Sequence, residues 1–142
     1  MITGRDLIAL AGNLAVNPAS GSPEARFRSA ISRAYYGAFH IAAAFLADCE
    51  NGVPENSNGH ELAYRRLFNT QIPAVVEAAR NLNDLRRERI QADYKLRYAG
   101  LDSQQNAKDK VQMAELVRTR LQECLAEPIK TKVVAALRAQ QA

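Results

Sequence analysis

At 142 residues, with 47% hydrophobic and 24% charged residues, the chain has the length and composition of one globular domain, which excludes disordered, collagen-like and fibrous classes. Two cysteines, Cys49 and Cys124, are too few for a secreted disulfide framework, and the opening Met1-Ile2-Thr3-Gly4-Arg5-Asp6 lacks the apolar stretch of an export signal, so a cytoplasmic location is expected. The net charge of +4 is carried mostly by arginine, whose planar fork suits phosphate as well as carboxylate.

No segment alternates apolar and polar residues long enough for a strand, and the spacing of apolar residues predicts helices throughout. Thr3 caps a first helix in a capping box with Asp6, and Leu7, Leu10, Ala11 and Leu14 form its inner stripe. Asn17-Pro18 ends it, and Ala19-Ser20-Gly21 forms a loop. Ser22-Pro23-Glu24 is a cap, a proline at the first helical position and a first-turn acid, opening a helix over roughly 24 to 48. Within it, the apolar run from Ala34 to Ala47 is interrupted by His40 and is shorter than the ~20 residues of a membrane span, so a core helix and no membrane association are expected.

The polar segment from Asp48 to Asn58 predicts an exposed loop, followed by a short helix from about His60 to Phe68. Pro73 opens a fourth helix to about Tyr98, with Val75, Ala78, Leu82, Leu85, Ala92 and Leu96 on a near-heptad stripe. Ala99-Gly100-Leu101 breaks it, and Asp102 or Ser103 caps a fifth helix with Val111, Ala114, Val117, Leu121 and Leu125 on its inner face. Pro128 starts a terminal helix over about 129 to 141. Short connections and the absence of an interdomain linker make this a single all-α domain, residues 1–142, an antiparallel up-and-down bundle of four to five main helices.

Two polar clusters stand out. In the fourth helix, Arg89 falls on the apolar seam, where a charge needs a partner; Asp93, one turn on, supplies it, and Tyr94 adds a phenol on the adjoining flank. In the second helix Arg33, Tyr36 and His40 share a face by their spacing of three and four. Packing of these helices would unite Arg33, Tyr36, Arg89 and Asp93, with Arg87 nearby and His40 in support. A structural Arg–Asp pair and an unreactive core or surface histidine are the plainer alternatives for these residues.

Ser32-Arg33-Ala34-Tyr35-Tyr36-Gly37-Ala38-Phe39-His40 resembles the signature Ser-Arg-Ala-Tyr-Tyr-Ala-x-Phe-His of HEPN domains. Arg89-Ile90-Gln91-Ala92-Asp93-Tyr94 is similar to the Arg-x-x-Ala-Asp-Tyr motif of one HEPN subgroup, and Asn58-Gly59-His60 lies where that subgroup often has a histidine opening its third helix. The resemblance covers roughly residues 5 to 125 and implies a homodimeric helical bundle of the kind found in prokaryotic toxin–antitoxin and defence loci, with its polar motif at a cleft between protomers. Many relatives are metal-independent endoribonucleases using an Arg followed four to six residues later by a His. Here the five-residue step from Arg87 lands on Ala92, and the fourth helix contains no histidine.

Three functions follow. One is a regulatory or interaction dimer, with a nucleotidyltransferase-type partner, that binds protein, nucleotide or RNA; the resemblance also implies Tyr94 as a nucleotidylation acceptor. Another is an RNA-cleaving toxin in which Arg89 carries the phosphorane charge and Asp93, Tyr94 or His40 moves protons. The third is a bundle whose polar cluster only fixes dimer register. No cofactor is expected, since no phosphate-cradling glycine loop occurs, and the histidines and cysteines lack metal-ligand spacing. Cys124 is expected to be a small buried thiol, and Arg65-Arg66 and Lys130-Thr131-Lys132 to be solvated faces that could extend an RNA track.

Overall fold

A computed structural model describes residues 1–17, 21–54 and 56–141; the expected breaker Pro18 and the loop residues Ala19 and Ser20 lie outside them. The described residues form six α-helices and no strand: α1 (Gly4–Val16), α2 (Pro23–Cys49), α3 (Ser57–Phe68), α4 (Pro73–Tyr94), α5 (Gln104–Cys124) and α6 (Ile129–Ala139), with a short 3₁₀ turn at Ala99–Leu101.

The starts of the helices are chemically local. Thr3 and Asp6 form the expected reciprocal capping box, Ser22 accepts from the Ala25 amide ahead of a helix opened by Pro23, and Ser103 accepts from the Asn106 amide. The third helix begins three residues before the expected His60, because Asn56 caps it by accepting from the amides of Asn58 and Gly59. Gly59 is required there: a Cβ on it would lie 1.7 Å from the Pro54 carbonyl oxygen.

The inner face of α1 is Gly4, Ile8, Ala11 and Ala15, whereas Leu10 of the expected stripe is exposed and Leu7 and Leu14 are half-buried. Small residues win because the helices approach closely: a Cβ at Gly37 would sit 2.6 Å from Ile8 Cγ1 and 2.7 Å from the Gly4 carbonyl oxygen. Gly4 faces Gly37 while Arg26 Nη1 donates to the Leu14 carbonyl oxygen at the other end, so α1 and α2 are antiparallel.

The long α2 is the centre of the bundle, with α1, α4 and α5 around it. Ion pairs set the remaining directions. Glu88–Lys110 and Glu77–Arg120 join α4 to an antiparallel α5, and Glu61–Arg86 joins α3 to α4. The core runs through Ala34, Tyr35, Ala38, Ala42 and Leu46 of α2 to Leu82 and Leu85 of α4, Val117 and Leu121 of α5, and Val133 and Leu137 of α6. Both cysteines are buried and unpaired, and burial pushes both thiols up. After α2 the chain returns along it, with Val53 packed on the core and Gly52 against Ala47, which brings the start of α3 beside Tyr35.

The fourth helix ends at Tyr94 rather than near Tyr98, and Leu96, expected on its buried stripe, is 74% exposed. The cause is Arg28 of α2, 8% exposed, whose guanidinium donates to the carbonyl oxygens of Gln91, Ala92, Lys95, Leu96 and Tyr98 and pairs through Nε with Asp102 at 2.8 Å. Carbonyls that would otherwise be orphaned at the helix end are thereby satisfied, and the chain turns toward α5.

Candidate functional site

On α2 the strip facing α3 and α4 is Ser32, Tyr35, Tyr36 and Phe39, the i, i+3, i+4, i+7 face of the helix. It lies one residue around from the expected strip of Arg33, Tyr36 and His40. Tyr36 belongs to both. Arg33 is exposed, with no ion pair among the described residues, and Ser32 takes its anticipated place beside Asp93. His40 is also exposed and borders a cleft with Thr3, Gly4 and Arg118, between α1, α2 and α5.

Opposite this strip, α4 presents Arg89, 9% exposed. Its guanidinium carbon lies 5.2 Å from the centre of the Tyr36 ring, 5.6 Å from Tyr35 and 5.9 Å from Tyr94, so three phenol rings surround one cation. The expected ion pair with Asp93 forms, but at a long 3.5 Å, and Asp93 is also held by the Ser32 hydroxyl at 3.2 Å. Arg89 Nε is buried and has no hydrogen-bond partner among the described residues. Among the described residues this leaves Arg89 a buried cation whose hydrogen bonding is incomplete, with one stretched carboxylate contact and one unpaired N–H. Arg87, by contrast, is exposed and 3.6 Å from Asp84, so it does not join the cluster. Tyr94 is 73% exposed, presenting a ring to solvent at the rim.

The packing of α3 adds residues that the polar strips did not include. His60 packs against Phe39 with ring centres 4.2 Å apart and planes tilted by 34°, lies 5.5 Å from the Tyr35 ring centre and 6.1 Å from that of Tyr36, and hydrogen-bonds through Nδ1 to the Tyr35 hydroxyl. His60 and Arg89 thus flank the same two tyrosines. Beside them, Arg86 donates through Nη1 to Glu61 at 3.2 Å, and its Nε is buried without a partner among the described residues. Burial, reinforced by the charges of Arg86 and Arg89, holds His60 below its ordinary value of 6.5, so the imidazole is neutral at pH 7. Burial also pushes the Tyr35 phenol up to about 12, with the two arginines opposing it weakly.

The signals for these residues were present in part. Ser32 and Tyr35 lie inside the Ser-Arg-Ala-Tyr-Tyr run, and His60 follows the Asn58-Gly59 helix start, but its place beside Arg89 depends on how α3 packs against α4. Arg86 carries no distinguishing local signal among its neighbouring charges. Among the described residues, no group of three or more His, Cys, Asp or Glu side chains is placed to hold a metal ion. The assembled chemistry is two arginines with unused N–H donors, a neutral imidazole, and phenols at the wall and rim.

No curated protein and no solved structure matches the chain significantly. The family model for the HEPN domain matches residues 21–124, from the turn before α2 to the last residue of α5, and so includes both halves of the cluster around Arg89. With that match over most of its length and an all-helical bundle, the chain belongs to the HEPN domain family.

Proposed function

We propose that the protein is a homodimeric component of a prokaryotic toxin–antitoxin or defence system and that its Arg89 cluster binds RNA through a backbone phosphate. The observation that carries this reading is Arg89 itself: a buried cation among three phenol rings, with a stretched ion pair and a free Nε–H. Phosphate oxygens accept charge-assisted hydrogen bonds from such a fork, and an exposed ring at its edge, Tyr94, offers a platform on which an unpaired base can stack. Arg86 supplies a second unused donor on the same helix, one turn earlier. The homodimer is supported by Ile90 and Leu96, apolar side chains exposed beside the cluster.

Fluorescence anisotropy with a labelled single-stranded oligoribonucleotide tests the reading. Arg89→Ala is expected to weaken binding about 10- to 100-fold, the worth of a charge-assisted contact, and Arg89→Lys to recover only part of it because an ammonium lacks the planar fork. Arg87→Ala, remote from the cluster, should change affinity little beyond a general electrostatic effect. Equal affinity for wild type and a folded Arg89→Ala protein, or no RNA binding by wild type, overturns the proposal and leaves the cluster a structural device.

A further inference from the structure

His40, which the packing of α2 takes away from the Arg89 cluster, borders a cleft of about 250 Å³ between the start of α1 and the later halves of α2 and α5. We infer that this cleft is a binding site for a small organic monoanion, a carboxylate carried on an unbranched apolar body. The inference is independent of RNA binding at Arg89. Thr3, Gly4 and Arg5 precede the residues matched to the HEPN domain and Leu125 follows them, so the cleft is completed by parts of the chain outside that match.

The cleft has a direction. Both α2 and α5 are antiparallel to α4, so they run the same way, and Gly4 of α1 meets α2 at Gly37 and Ile41. The stretch from Ile41 to Asp48 on α2 therefore runs beside that from Arg118 to Leu125 on α5, over about 10 Å. Arg5, His40 and Arg118 stand at the α1 end, and Asp48 stands at the other. Between them the floor is apolar: Phe45 and Leu121 are 3% and 1% exposed, and Ile41 and Leu125 are half-buried. Because α1 begins only at Gly4, it leaves this stretch of the seam between α2 and α5 open.

The cations at the α1 end have accessible donors to give. Arg118 is braced by Glu115, which accepts from Nε at 2.9 Å and from Nη2 at 2.8 Å; its Nη1, which is not buried, has no hydrogen-bond partner among the described residues. Arg5 is exposed, with no ion pair or side-chain hydrogen bond among the described residues. Its neighbour Asp6 is closed onto Thr3 by the capping box. A carboxylate is the complementary head, since it accepts from guanidinium forks, and the floor takes an apolar body out of water. Asp48 sets the limit at the far end, where a second carboxylate on the ligand would meet a like charge. A chain of about eight carbons matches the distance between the two ends.

Equilibrium dialysis of the full chain against radiolabelled octanoate tests the site. Saturable binding of one octanoate per chain is expected, with a dissociation constant on the order of 100 µM for a ligand of this size. Unlabelled 1-octanol, which lacks the charged head, should compete ~10-fold less well, and octanedioate should do the same because its second carboxylate meets Asp48. Arg5→Ala should weaken octanoate binding about 10-fold. Ala44→Leu, at an exposed position of α2 lining the cleft, fills it and should abolish binding with helical circular dichroism unchanged. Asp48→Asn should bring octanedioate to within about twofold of octanoate. Should Ala44→Leu fold poorly, Arg5→Ala carries the test, because that side chain has no partner to lose among the described residues. Octanoate binding that fails to saturate below about 1 mM overturns the inference, as does equal binding by wild type, Arg5→Ala and a folded Ala44→Leu protein. Octanol that competes as well as octanoate also overturns it, by showing an apolar cavity without a site for the head.

Discussion

Tyr35 is 1% exposed, and its hydroxyl has His60 as partner in a wall otherwise made of rings and aliphatic carbon. Burial of both groups ties folding to their neutral forms. The Tyr35 phenol is raised from 10.0 to about 12, so the folded state keeps a proton that the unfolded chain releases, and stability falls as pH rises from about 10 toward 12. His60 is shifted the other way: its contribution is fully present above the unfolded value of 6.5 and is lost as pH falls through its lower folded value. Urea unfolding midpoints followed across pH are expected to show both limbs. In Tyr35→Phe the alkaline limb should flatten, because no buried phenol is left to ionise; an alkaline limb as steep as that of wild type would place its origin elsewhere.

Among the helices, α4 bears the burden of precision, because Arg89, Asp93 and Tyr94 occupy its last two turns. Its end is fixed by Arg28, whose donors reach backbone carbonyl oxygens from Gln91 to Tyr98 while Nε pairs with Asp102. Replacing Arg28 by Met keeps the apolar stem, strands those carbonyls and leaves Asp102 without its cation; the expected loss is about 2–4 kcal/mol, less than for a fully enclosed pair because Asp102 is partly exposed. Arg28→Lys should recover little of it, since one ammonium cannot span the same set of oxygens. Chemical denaturation of the three proteins checks this, and an unchanged midpoint in Arg28→Met contradicts it. The same contact explains what the sequence could and could not disclose. Thr3–Asp6, Ser22–Pro23 and Ser103 are readable because a cap and its helix are neighbours in the chain. The stop after Tyr94 is set by a residue more than sixty positions away, and periodicity alone carried the predicted helix on through Leu96. The site divides likewise: Arg89–Asp93 and the tyrosine run are local patterns, whereas the meeting of His60 with Tyr35 and of Arg86 with Glu61 exists only once α3 has packed.

At the scale of the whole molecule, the homodimer proposed above would use the exposed apolar surface next to the cluster. Ile90 lies in the last two turns of α4 and Leu96 just beyond its end; Leu96 is 74% exposed, a costly place for such a side chain in a lone monomer. A twofold arrangement that buries this patch would place two copies of it face to face, so each substitution acts twice at the interface. It would also set two Arg89 clusters along one groove, and the paired positive charge would steepen the salt dependence of RNA binding relative to a single site. Under the homodimer proposed above, sedimentation equilibrium at micromolar concentration should return twice the 15.7 kDa of one chain. Leu96→Asp should return the single mass with helical circular dichroism intact, because the side chain it replaces lies outside the core. Arg89→Ala, altering a side chain turned inward among its own tyrosines, should stay dimeric while losing RNA affinity. A wild-type protein of single mass, or a Leu96→Asp protein that remains double, would remove this patch as the joint between copies and require the RNA site to work within one chain.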